Sequence, residues 1–230
     1  MLLKKYLIIY AVTVNVFASE MKSVLVGVDE WAPFVGQGLP ENGIISKTVK
    51  SAFATKGVKV DFQWLPWKRV MFMTSKGDLD ATPGWSRNKD REKKFLFSEQ
   101  PILTESAHLF YKKGRTITWN EIADLKKYRF VGILGYNYQY LEDEGITIER
   151  VKTEKQALNM IVSSRADIFE ANLKVGIDAI NSTLDKSKQG EIEVSNKPSK
   201  VFHYYVLFPK TERGQEVKQI FDEGFKAIQH

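Results

Sequence analysis

What most constrains this chain is an alternation of strand-like and helix-like segments that runs through it twice. Val24-Leu25-Val26-Gly27-Val28 is a short apolar run of the kind that becomes a buried strand. Ile45, Val49, Ala52 and Phe53 then recur at helical spacing, and Gly57 closes the segment. Val58 to Phe62 alternates apolar and polar residues, the period of a strand. Trp67 to Ser75 reads as a helix, and Asp78 to Pro83 as another short strand. A chain patterned this way folds as an α/β sheet protein.

The same order returns after Lys113. Thr118 and Glu121 have the spacing of a capping box opening a short helix that runs to Lys127. Arg129 to Leu134 reads as a strand, followed by Gly135 and a helix start near Asn137. Thr153 and Gln156 repeat the capping spacing, with Ala157, Met160 and Ile161 as the buried stripe, and Asp167 to Ala171 is the next strand. Tyr204 to Phe208 reads as a strand, and Val217, Ile220, Phe221, Phe225 and Ile228 line one face of a closing helix. Glu105 to Lys113 and His203 to Lys210 look like extended strands rather than Gly/Ser linkers. They are expected to join two lobes as a two-strand hinge, with the last helix returning to the first lobe. His108 and His203 lie at or in these strands and read as satisfied structural histidines.

The N-terminus bears on the compartment. Lys4 and Lys5 precede a mostly apolar run from Tyr6 to Phe17, and Val16 and Ala18 are small residues at the −3 and −1 positions of a cleavable signal peptide. The run falls short of the ~20 apolar residues that span a bilayer. Residues 1–18 are therefore expected to be removed on export to the periplasm. The remaining organisation is then a first lobe over 19–111 and 203–230 and a second over 112–202.

Composition excludes several classes. With 43% hydrophobic residues in 230, the chain has enough apolar surface to bury a core. It holds no cysteine, which removes disulfides, thiolate zinc sites, cysteine nucleophiles and a lipid-bearing cysteine together. His108, His203 and His230 have no metal-cluster spacing, so no metal or other cofactor is expected. The formal net charge of +6 falls to +4 once Lys4 and Lys5 are lost. That excess is spread in small clusters such as Lys93-Lys94 and Lys112-Lys113, not in the dense face of a nucleic-acid binder.

Trp31-Ala32-Pro33-Phe34 and Trp64-Leu65-Pro66-Trp67-Lys68-Arg69 lie just past predicted strands. That is where open α/β sheets place ligands, although Trp31 and Trp67 taken alone fit a packed core equally well. Further signals are Gly77-Asp78-Leu79-Asp80-Ala81, Asp90-Arg91 with Phe97-Ser98 beyond it, Asp124-Leu125-Lys126, Val131-Gly132-Ile133 and Ser164-Arg165-Ala166-Asp167. Together with Val26-Gly27-Val28, these pieces in this order resemble the family 3 extracellular solute-binding proteins, periplasmic receptors of ABC importers for amino acids and related solutes.

The resemblance implies a type II periplasmic-binding-protein fold, two α/β lobes closing on a small solute. It implies a monomer that delivers to an ABC permease and is not an enzyme. In the amino-acid-binding members, an arginine seven residues before the Phe-Ser serine clamps the substrate carboxylate, and here that position is Arg91. A guanidinium fork suits the task, since it gives two parallel charge-assisted bonds. Trp31 and Trp67 match the family's stacking aromatics, and Gly84, Trp85 and Ser86 match the segment that hydrogen-bonds the ligand. Arg69 either lines the cleft or pairs with a surface acid.

The second half departs from the family pattern. Where small hydroxyl residues usually begin a helix, this chain has Gly135-Tyr136-Asn137-Tyr138, with Tyr136, Asn137 and Tyr138 as cleft candidates. The acid that meets a ligand ammonium falls at Asn172, a neutral amide. Glu170 shares its strand face and either substitutes or is a solvated acid. Ordinary α-amino-acid specificity is thus in question. Two alternatives accompany the solute-binding reading: a dehydratase-like enzyme on a cyclic carboxylate, with Glu170 as its acid or base, and a sensor module reporting to a membrane partner.

Overall fold

The computed structural model describes residues 21–229; the signal-peptide reading of 1–18 and residue His230 lie outside them. The first half builds β1 (Ser23–Val28), α1 (Ile44–Ala54), β2 (Lys59–Trp64), α2 (Trp67–Lys76), β3 (Thr82–Ser86), α3 (Lys89–Lys94) and β4 (Phe95–Phe97). The long strand β5 (Leu103–Lys112) leads to β6 (Phe130–Ile133), α4 (Gln139–Glu142), β7 (Ile148–Val151), α5 (Glu154–Val162) and β8 (Ile168–Asn172). After α6 (Leu173–Thr183), α7 (Lys186–Gln189) and β9 (Ile192–Val194), β10 (Lys200–Pro209) returns to α8 (Glu212–Ala227).

The result is a two-lobed α/β fold. β1 and β2 pair in parallel. The larger sheet runs β3-β10-β5-β8-β6-β7, with β4 on β10 and β9 on β5. One apolar core draws on α1, β1, β10 and α8, including Val49, Phe53, Val206, Phe208, Val217 and Phe221. Two others draw on the segment between, around Leu158, Ile161 and Phe169 and around Leu109, Leu125 and Leu141. β5 and β10 pass between these cores side by side, pairing from Ala107 with Lys200 to Leu103 with Tyr204. The two extended segments recognised in the sequence are thus the adjacent strands that join the lobes.

Local forces explain several motifs. Thr153 Oγ1 accepts from Gln156 N and caps α5 as the spacing predicts. Ser98 ties its segment to β10, its Oγ accepting from Val206 N at 3.1 Å. Asp167 is buried and accepts from Arg129 Nη2 at 2.7 Å and Arg129 N at 2.9 Å, with Arg115 Nη2 at 3.0 Å. The hydrogen bonds from Arg129 hold its carboxyl below the usual range. That anchor pins the start of β8 to the start of β6.

Some expectations are corrected. The strand expected over Asp78 to Pro83 begins at Thr82, because Asp80 is drawn into a turn that accepts from Leu25 N and Arg213 Nε. The capping box starts at Glu121 with Asp124, not at Thr118, and opens a 3-10 turn over Ile122–Lys127. The helix expected near Asn137 is the single turn of α4. Ile228 stands beyond the end of α8 and is exposed, while Val217, Phe221 and Phe225 carry the buried stripe.

α8 packs against α1 at Gly224, where an added methyl would overlap the carbonyl oxygen of Ala52. Gly224→Ala should therefore destabilise the protein by about 1–3 kcal/mol, the usual cost of overpacking against backbone. Urea denaturation followed by circular dichroism measures it, and an unchanged midpoint would contradict this close approach.

Candidate functional site

The loops after β1, β2, β3, β6 and β8 converge on one cavity between the lobes. Its walls include Trp31, Trp67, Gly84, Trp85, Ser86, Arg91, Tyr136, Asn137, Tyr138, Glu170 and Asn172. The space open to the centres of water molecules is about 60 Å³. Eleven of the twelve residues singled out from sequence thus share one enclosure. Arg69 does not. Trp67 opens α2 and faces the cavity, and two residues on the helix has turned by about 200°, so Arg69 is exposed on the opposite side. Among the described residues it has no acid partner.

Arg91 owes its position to α3. Asn88 Oδ1 accepts from Arg91 N at 2.8 Å and caps this short helix. The side chain then turns back onto the end of β3: Nη1 donates to Ser86 O at 2.9 Å and Ser86 Oγ at 3.2 Å. Nη2 donates across the cleft to Gly135 O at 3.1 Å, and the guanidinium carbon lies 4.8 Å from the Trp85 ring centre. Arg91 is 9% exposed, and among the described residues no carboxylate pairs with it. Burial lowers its pKa from the usual arginine value to about 10. Asn137 adds a second bridge, Nδ2 donating to Ser86 Oγ at 3.0 Å and Arg87 O at 3.2 Å.

The aromatic walls are locked by neighbours. Trp31 stands 5.0 Å from both Phe34 and Tyr204, ring centre to ring centre. It faces Gly84, whose φ of +90° favours glycine. Trp67 meets Trp85 edge-on at 5.1 Å, and its backbone N–H is held by Asp29 Oδ2 at 2.8 Å. Core and cleft roles coincide for Trp31, which is buried, whereas Trp67 is half-buried. Tyr138 belongs to the core as well, its hydroxyl accepting from Ile133 N and donating to Glu170 O. Tyr136 donates to Glu154 Oε1 at 2.7 Å.

Glu170 is not a solvated acid. It is 3% exposed, and its Oε1 accepts from Tyr140 OH at 3.0 Å and Ser199 Oγ at 3.2 Å. Burial pushes its pKa up to about 7, against which those two hydrogen bonds work. Asn172 Oδ1 accepts from Tyr204 OH at 2.9 Å.

Four lining residues escaped the sequence reading: Gly135, Ala171, Phe202 and Tyr204. For Phe202 and Tyr204 the signal was present, since two aromatics two residues apart on a strand share a face. Among the described residues no group of acids and histidines is arranged to hold a metal ion. No helix among them is long and apolar enough to cross a membrane.

The Glu170 carboxyl gives a pH signature. Its folded pKa lies above the unfolded value of 4.5, so the folded state holds the proton more tightly. Stability is therefore lost as pH rises from about 4.5 to 7 and levels off above. Glu170→Gln keeps both hydrogen bonds without the charge. It should match wild type near pH 4.5 and exceed it by about 3 kcal/mol above pH 7, read from urea midpoints; a constant difference would show that Glu170 is not held in this way.

The comparisons with known proteins fit this geometry. Residues 24–230 match the bacterial extracellular solute-binding proteins, family 3. A histidine kinase sensor domain with similarity to periplasmic binding proteins has a TM-score of 0.77 at 17% identity, over 91% of each chain. An ancestral arginine-binding protein bound to arginine scores 0.71 at 19% identity, over 91% of this chain and 93% of its own. An ancestral amino acid-binding protein, a precursor of cyclohexadienyl dehydratase, scores 0.69 at 19% identity, over 90% and 89%. Identities this low speak for the fold alone. The search of curated proteins found no match.

Proposed function

We propose that this chain, which belongs to the bacterial extracellular solute-binding proteins, family 3, captures a small carboxylate-bearing solute in the interlobe cavity and is not an enzyme. The observation that carries the reading is Arg91, a buried guanidinium with no carboxylate partner among the described residues. Removing a charge from water is costly unless an opposite charge meets it. A ligand carboxylate would supply that charge through two parallel hydrogen bonds. The shared sheet supports a hinge mechanism, in which the solute docks on one lobe and β5 and β10 let the other close. Arg91 to Gly135 and Asn137 to Ser86 are then bonds of closure.

The working protein in this proposal is an exported monomer in the periplasm, freed of residues 1–18. Its lobes comprise 19–111 with 203–230, and 112–202, and it delivers to an ABC permease. A sensor role is the alternative in which the receiving partner signals, as the name of the histidine kinase sensor domain suggests for that protein. An enzymatic reading has one observation in its favour, the Glu170 carboxyl poised at about 7 in the cavity wall. Turnover of prephenate or arogenate followed by absorbance decides it: no loss of substrate ends that reading.

Arg91→Ala should abolish carboxylate binding in isothermal titration, a loss of about 2–5 kcal/mol, while circular dichroism stays native. Wild-type affinity in that variant would overturn the clamp. Trp67→Ala should weaken binding by less, about 1–3 kcal/mol, since a half-buried ring contributes packing rather than charge pairing. A variant that unfolds instead would make Trp67 a core residue.

A further inference from the structure

Two donors in the cavity wall have nothing to donate to. Trp31 Nε1 and Asn172 Nδ2 are shut off from water, and among the described residues neither has a hydrogen-bond partner. Trp31 is 7% exposed, Asn172 is 6% exposed, and both line the cavity. They flank Tyr204, whose ring packs on Trp31 and whose hydroxyl occupies Asn172 Oδ1. Arg91 lines the same cavity as these two donors and Tyr204. An indole N–H only donates, and the Asn172 amide has its carbonyl engaged, so donation is what both have left. Buried donors are met in native proteins almost without exception. Here a bound molecule would meet them.

Acceptors for a positive group are scarce in the same wall. Glu170 is the one carboxylate among the lining residues; its Oε1 takes two hydroxyl donors, which leaves Oε2 alone to meet a positive group. Tyr136 and Tyr138 have their hydroxyls bound within their own lobe. An α-ammonium carries only donors, so it cannot meet the Trp31 and Asn172 N–H groups, whereas an oxygen acceptor can.

We infer, on the reading that Arg91 holds a carboxylate, that the solute carries an oxygen acceptor where an amino acid carries its ammonium: it is a short-chain 2-oxo or 2-hydroxy acid. The carboxylate meets Arg91, and the 2-oxygen accepts from Trp31 Nε1 and Asn172 Nδ2.

The test is isothermal titration of the purified protein with acids of matched skeleton: pyruvate, lactate and alanine, then 2-oxoglutarate, 2-hydroxyglutarate and glutamate. Within at least one skeleton, the oxo or hydroxy acid should bind at least about tenfold more tightly than the amino acid, the usual scale for an unmet buried polar group. Trp31→Phe keeps the ring and should cost the oxo acid about tenfold. Asn172→Asp, which supplies a carboxylate for an ammonium, should shift preference toward the amino acid. Should Trp31→Phe fail to fold, the matched acids on wild type and Asn172→Asp still decide. An amino acid that binds as tightly as its oxygen counterparts, with Arg91→Ala still abolishing binding, would overturn this inference alone. If none of the acids binds wild type, the inference falls together with the carboxylate reading.

Discussion

One strand belongs to both lobes, and the rest of the molecule is arranged around it. β10 pairs with β5 up to Tyr204 and with β3 from Tyr204 onward, so Tyr204 faces Leu103 on one side and Ser86 on the other. Its ring packs on Trp31, and its hydroxyl reaches Asn172 at the end of β8. A backbone ladder cannot slip at such a point without exposing every pairing beyond it. Side chains beside that ladder therefore keep their registry. The cavity lies there because the ends of β3 and β8 are both tied to the same residue.

Around that pivot the protein tolerates unfavourable electrostatics. Arg91 is buried against carbonyl and hydroxyl oxygens with no carboxylate among the described residues, and Glu170 is buried against hydroxyls with its pKa pushed up to about 7. Each would be better solvated at the surface. Asp167 provides the contrast: equally buried, it is met by Arg129 and Arg115, and its carboxyl is held low. Paired charge marks a structural anchor here, and unpaired charge marks the cleft. Sites that act on other molecules commonly depart from local satisfaction in this way.

Much of the architecture was legible from periodicity. The stripe of Val217, Phe221 and Phe225 named the helix that returns to the first core, and Thr153 with Gln156 named a helix start. What went astray was decided by long-range bonds. Asp80 gives its carboxylate to Leu25 and Arg213, so the strand expected through it starts later. Arg69 has the composition of a cleft residue, but α2 turns it outward because Val70 and Thr74 face the core. Tyr204 was visible as part of a strand, with Phe202 just ahead of it, yet nothing local says which face of a hinge strand looks into a cavity.

By itself the sequence determined the α/β alternation and the two connecting strands, which follow from hydrophobic period, and its resemblance to the family 3 solute-binding proteins named most of the side chains that converge on the cleft. Only the tertiary structure decided what those side chains have left to offer. Whether Glu170 is wet or buried, and whether the Trp31 and Asn172 donors are met, depends on Tyr140, Ser199 and Tyr204 brought from 29 to 173 residues away. Desolvation and hydrogen-bond satisfaction are properties of a closed enclosure, and no segment of the chain contains that enclosure by itself.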